Sequence, residues 1–278
     1  MEFFGCEGYG RGNEAARSLF EGAVILTPGV SFANVGQLTV DLLVNSLLVQ
    51  EVDMKLVGHL YSKHVPPMAG SSAFATQSSS GLCLNLAVFL LSHPSSVGHP
   101  TAPKVVFVQQ RTSINAGQVQ AFCDDFAVWA SSTCRASQVV VLSGVDNMLR
   151  HDSNMQQRRI QWTSTEKSTL LNEAFLHQFQ PLAASNDPEV DQAHGIWDTV
   201  RGAGVAPKLI DACNSRAIPA LALLLHCAEG NNVPDAVFFA SCVVQYLWLH
   251  TIIQSFRLVL PPSWAQLYGR DPAIALYA

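Results

Sequence analysis

The sequence predicts an α/β protein: a single domain with a mixed or parallel central sheet flanked by helices, and a helical C-terminal third. Three observations carry this. The strand-like run "KVVFVQQR" (Lys104 to Arg111) is followed by the amphipathic "AGQVQAFCDDFAVWASST" and then by the apolar "SQVVVLSG", the spacing of a βαβ unit. "AVILTP" passes directly into a pattern with helical spacing. The final third, from "SRAIPALALLLHCAEG" onward, reads as long apolar helices.

Residues 1–22, "MEFFGCEGYGRGNEAARSLFEG", have neither the basic start nor the long apolar stretch of a signal peptide, and they are expected to form a poorly ordered extension. The domain is placed over 23–270 and a separate tail over 271–278. "AVILTP" (Ala23 to Pro28) is short, β-branched and closed by Pro28-Gly29, as a buried strand would be. In the helix that follows, Ser31 or Asn34 is placed to cap, and Val35, Leu38, Leu42 and Leu43 form a core-facing stripe. "KLVGHLY" and "LCLNLAVFLL" (Leu82 to Leu91) are further strands by length and flanks. In the helix of the βαβ unit Val119, Phe122, Phe126 and Trp129 share one side. From Val145 to Gly204 the pattern loosens into loops with one helix around "TEKSTLLNEAF". Gly230 stops the first late helix, Pro234 opens the second, and "PPSW" ends it.

Charged residues are 13% of the chain, against roughly 25% in an average globular domain. A surface so poor in charge suggests a permanent partner; a compact monomer is the alternative. The net charge of −5 argues against nucleic acid, and the densest basic group, Arg158 and Arg159 in "QQRRIQW", is too short to follow a phosphate backbone. Seven cysteines, none in C-x-x-C spacing and most within apolar runs, fit reduced buried thiols of the cytosol or nucleus. "VFFASCVVQYLWLHTII" (Val237 to Ile253) is the stretch closest to a membrane span, but it is short and carries Gln245 and His250, so a core or interface helix is expected.

Few motifs in the chain carry chemistry. "TPGVSFANVGQL" stands where a phosphate cradle would be, yet Gly36 is followed by Gln37 and Leu38 rather than Lys and Ser/Thr. In "RGAGVAP", Pro207 replaces the third glycine of a dinucleotide loop. Ser164 to Lys167 match S-x-x-K without the accompanying motifs. Neither His59 with His64 nor His93 with His99 has helical i, i+4 spacing, His226 and His250 lie in apolar runs, and the adjacent Asp124 and Asp125 cannot face each other. No catalytic residue, metal or cofactor is expected. The apolar tail "DPAIALYA" then stands out: it either packs on its own body or is meant for a pocket elsewhere.

"VILTPGVSFANVGQLTVDLLVNSL", "HLYSKHVPPMAG", "CAEGNNVPDA" and "LPPSWAQLYG" occur in the order found in the proteasome assembly chaperone 2 family, which this sequence resembles from Ala23 onward. The resemblance implies a fold akin to purine nucleoside phosphorylases, used for binding. It also implies a heterodimer with proteasome assembly chaperone 1 in cytoplasm and nucleus. That dimer would promote assembly of the α-ring from 20S proteasome α-subunits and prevent off-pathway ring association. Leu276, Tyr277 and Ala278 fit the hydrophobic-Tyr-X tail with which proteins of this system enter pockets between α-subunits. Leu276 would supply apolar burial, Tyr277 ring area and a hydroxyl, and Ala278 a carboxylate. Asn34 and Gln37 of "NVGQL" are either turn-shaping residues or a contact with the partner or ring. The rival readings are an enzyme of nucleoside phosphorylase-like or peptidase-like class on the same scaffold, and a membrane-associated protein.

Overall fold

The computed structural model describes residues 1–50, 52–75, 82–92, 103–149, 160–166, 170–183, 195–253 and 255–266. The motif residues His93, His99, Arg158, Arg159 and Lys167 and the tail Leu276, Tyr277 and Ala278 lie outside them.

Four central strands are predominantly apolar and buried along nearly their whole length, as in a sheet covered on both faces. These are β2 (Val24–Pro28), β7 (Val105–Gln109), β8 (Gln138–Asp146) and β11 (Ala220–Cys227). β2 pairs in parallel with β7 on one side and β8 on the other, and β8 pairs in parallel with β11. The sheet is completed by β1 (Glu2–Gly5), β3 (Met54–Tyr61), β6 (Ala87–Leu91), β9 (Ile160–Ser164) and β10 (Gln180–Pro181), in the order β1-β3-β6-β7-β2-β8-β11-β9-β10. β6 is antiparallel to β7, β3 to β6, β1 to β3 and β9 to β11, so the sheet is mixed. β4 (Ala69–Ser71) and β5 (Leu82–Leu84) form a separate two-stranded ribbon.

Each apolar strand splits between two cores by the alternation of side chains. Val24, Leu26, Val140, Leu142, Leu221 and Leu223 face one core with α2 (Val35–Val49) and α6 (Val233–Tyr246). Ile25, Val139, Val141, Ala222 and Leu224 face the other with α1 (Gly12–Phe20), α3 (Val119–Val128) and α5 (Ala206–Ser215). The result is three layers, helices on both faces of one sheet. α4 (Glu173–Leu176) and α7 (Leu249–Ile252) are single turns beside α6.

Five sequence expectations change. Residues 1–22 are not an extension: β1 pairs with β3, and Phe3 packs edge-on against Phe20 with ring centroids 5.2 Å apart, both fully buried. "ALALLLHC" is not a helix but β11, buried at all eight positions; its Ala/Leu content favours helix, and its place between β8 and β9 overrides that preference. The late helix breaks after Tyr246, where Trp248 takes a left-handed backbone (φ 58°), so Val237 to Ile253 is not one continuous helix. "LCLNLAVFLL" is two strands, β5 and β6, separated by a turn in which Leu86 is left-handed (φ 52°). In the loosened region β9 and β10 are additional strands, and among the described residues of the expected helix only those of α4 are helical. Among the described residues the segment long and apolar enough to cross a membrane is Phe32–Val49, and it lies between the sheet and α6.

All seven cysteines are free thiols, six of them buried and Cys6 half-exposed. Burial pushes Cys123, Cys213 and Cys242 up to about 12 and raises Cys134 as well. A thiol at about 12 is only about one part in ten thousand thiolate at pH 8. Thiol labelling of the native protein at that pH is therefore expected to modify Cys6 first, with the other six reacting only in guanidinium. Peptide mapping of the labelled protein checks this.

Candidate functional site

The turn from β2 into α2 carries the residues singled out in the sequence. Its backbone is committed to the protein itself: Gly29 N–H donates to the Leu142 carbonyl at 2.8 Å, Phe32 N–H to Gly202 at 2.9 Å, and Asn34 N–H to Ser31 at 3.2 Å. A phosphate cradle needs such amides free. The turn is instead a junction that locks β2 to β8 and to the loop before α5. A Cβ on Gly36 would run into the Leu142 carbonyl oxygen, and one on Gly144 into the Phe32 carbonyl oxygen. Both glycines are there for close approach of backbone to backbone. Gly202 and Gly204 of "RGAGVAP" pack on Phe32 and Val30, and Pro207 stands in the first turn of α5.

Neither expected cap acts as one. The Ser31 hydroxyl accepts from Gly144 N–H at 2.8 Å, tying the turn to β8. Asn34 occupies the N-cap position with left-handed backbone (φ 54°), makes no side-chain cap bond and is exposed. Asn tolerates that conformation better than most residues, which accounts for it locally. Gln37 points inward. Its Nε2 donates to the Gln110 carbonyl at 3.2 Å, and its own carbonyl accepts from Gln109 Nε2 at 3.0 Å. The structure thus separates the two residues: Asn34 faces solvent, and Gln37 fastens α2 to the end of β7.

One turn along α2 the same contact becomes charged. Arg111 forms a two-pronged pair with Asp41, at 3.0 Å and 2.7 Å, and Gln109 Nε2 donates to the same carboxylate at 2.7 Å. Gln109 is fully buried and Asp41 nearly so. Burial works against the Arg111 charge, but Asp41 more than offsets it and holds the guanidinium above its usual range. The side-chain oxygens of Gln37 and Gln109 and Arg111 Nε have no hydrogen-bond partner among the described residues. This network was missed in the sequence, although a lone Asp in the apolar helix and a lone Arg ending a strand were visible signals.

The histidines are dispersed. His64 lies buried with its ring nitrogens 2.9 Å from Gln118 Oε1 and 3.1 Å from Asp125 Oδ2, a carboxylate the local sequence could not supply. Asp124 turns away and accepts from Gln120. His226 meets Gln161 at 2.8 Å within the sheet, and His250 is exposed beside Trp248. No group of three His, Cys, Asp or Glu suited to a metal occurs among the described residues.

The geometry defines a three-layer α/β protein whose strand-to-helix turn is a packing junction. Its fold is similar to that of Pyrococcus furiosus PbaA, described as an archaeal homolog of proteasome-assembly chaperone, with a TM-score of 0.54 at 14% identity over 83% of each chain. PbaB of the same organism, described as an archaeal proteasome activator, has a TM-score of 0.54 at 14% identity over 89% of each chain. A family model described as the PAC2 family matches residues 25–248, and this chain belongs to that family. Proteasome assembly chaperone 2 of Bos taurus is 30% identical over 272 residues, covering 92% of this chain and 95% of that protein.

Two predictions arise from the junction. Gly36→Ala is expected to cost at least about 2 kcal/mol, since backbone must move to admit the methyl, whereas Asn34→Gly changes stability by no more than about 0.5 kcal/mol; urea unfolding compares them. Asp41→Asn leaves Arg111 buried without its counter-charge and should lower stability by about 3–5 kcal/mol, or roughly 6–20 °C in Tm. Replacing both, with Asp41→Leu and Arg111→Met, is expected to recover much of that loss in a thermal melt.

Proposed function

We propose that this chain is one half of a heterodimeric proteasome assembly chaperone, paired with proteasome assembly chaperone 1. The dimer promotes assembly of the 20S α-ring from its subunits and prevents off-pathway ring association, in cytoplasm and nucleus. The observation that carries this reading is membership of the PAC2 family together with relatives named proteasome assembly chaperone 2 that align over nine-tenths of both chains. The scaffold, which we read as purine nucleoside phosphorylase-like, works here as a set of binding surfaces rather than around a reaction centre. Leu276, Tyr277 and Ala278 act as an anchor in a pocket between neighbouring α-subunits: the apolar residue and ring are buried, and the carboxylate meets a cation. Asn34, exposed at the apex of the junction, is available to the partner or the ring, while Gln37 serves it from within by holding the turn in place.

Coexpression with proteasome assembly chaperone 1, followed by capture of proteasome α-subunits with and without residues 276–278, tests the proposal. The intact pair is expected to retain α-subunits, and the truncated pair to lose about tenfold or more of that binding if the anchor supplies roughly 1.4 kcal/mol. Equal capture by both would remove the tail from the mechanism, and capture by neither would remove the function.

A further inference from the structure

A groove of about 720 Å³ opens beside the edge of the sheet formed by β1 and β3, walled by the segment 62–68 and the turn between β5 and β6. Phe4 lies opposite His59 in the strand register and Tyr61 follows two residues on, so all three share one face of the strand pair. Phe4, Val65, Met68 and Leu84 give the groove an apolar lining. Tyr61 beside it and Leu82 in β5 are 60% and 66% exposed, far more than a side chain serving only the core.

The walls are braced. The buried His64 ring bridges to Gln118 and Asp125 of α3 or its approach. Asn85 donates from its side chain to the Pro66 carbonyl at 3.2 Å and from its backbone to the Met68 carbonyl at 3.2 Å. These bonds fix the "HVPPM" segment, a motif that neither the β2–α2 junction nor the proposed anchor uses. A groove held open in this way needs little reordering on binding.

Polar groups at the groove are few and specific in kind. Lys63 is exposed and has no ion-pair partner among the described residues, and it is the one charged residue in the lining. His59 and Asn115 also line the groove, and the side chain of neither makes a hydrogen bond among the described residues. Burial lowers His59 below its ordinary value, so at pH 7 its ring is neutral and offers one donor and one acceptor. An apolar trough with amide-matching groups and a single cation at its rim is complementary to a peptide, and the sign of the rim charge selects an acidic one.

We propose that this groove takes an extended apolar peptide segment carrying a carboxylate, presented by a protein partner, with the carboxylate at Lys63 and an apolar side chain against Met68. The site is separate from the anchor at 276–278 and does not depend on it.

Methionine-methyl NMR of the full chain tests this, with Met68 as reporter, Met54 in the core and the 85% exposed Met148 as controls. The probes are acetyl-Leu-Leu-Tyr-Ala-Glu amide and its Gln counterpart. The acidic peptide is expected to shift Met68 and leave Met54 and Met148 in place. It should bind about two- to fivefold more tightly than the neutral one, the range for an exposed ion pair. Lys63→Gln, a change at an exposed side chain, should abolish that difference without altering Tm. An unmoved Met68, equal affinity for both peptides, or the same preference in Lys63→Gln would overturn the proposal. So would a Met68 shift that grows with protein concentration in the absence of peptide, which would make a second copy of this chain the occupant.

Discussion

Strands β2, β8 and β11 are buried on both faces, so the sheet depends on two helical layers staying in place at once. That constraint organises the rest of the molecule. α2 and α6 must lie side by side on one face, and α3 and α5 on the other. Each fully buried Leu, Val or Phe in these contacts contributes roughly 1.5–3 kcal/mol of apolar transfer, opposed by the entropy of ordering it. α2 must also approach the sheet closely enough to fill the layer, and the missing side chain at Gly36 permits that approach at Leu142. The Asp41–Arg111 pair then sets the position of the helix along β7, a role for which directional charged bonds suit better than apolar contact.

Elements were legible in the sequence where local chemistry and tertiary context agree. "AVILTP" is β-branched and closed by Pro-Gly, and the run from Lys104 to Gly144 changes from apolar to amphipathic and back, so β2, β7, α3 and β8 could be read directly. β11 could not, because Ala and Leu suit a helix and an uninterrupted apolar run has no period to contradict one. β1 was hidden for a different reason. Its partner is β3, more than fifty residues away, and the glycines and charges of "CEGYGRG" that follow it look like loop. The division between β5 and β6 depends on Leu86 adopting a backbone that Gly or Asn would normally mark.

The same rule governs the functional residues. "NVGQL" was visible as a motif, and its backbone explanation follows once β8 is beside it: the turn is shaped by what it touches across the sheet. Asn34 and Gln37 are three residues apart in sequence but face solvent and interior respectively, a distinction that spacing alone could not draw. His64 was weighed as an isolated histidine because its carboxylate partner, Asp125, belongs to a helix sixty-one residues later. The groove beside β3 needed β1, which was read as an extension, so no sequence argument could have assembled it.

The burial of α2 has a consequence for the order in which the chain is made. Asn45 Nδ2 donates to the carbonyl of Val259, 214 residues downstream, and the helix packs on α6, whose first residue is Val233. At ribosomal rates of about 5–20 residues per second, α2 leaves the exit tunnel roughly 10–40 seconds before that cover exists. Once β2, β7 and β8 are made the helix has a sheet to lie against, but the side that α6 will cover stays without its native surface. The nascent polypeptide therefore presents to targeting factors and general holdases a segment that, by length and hydropathy alone, resembles a membrane anchor.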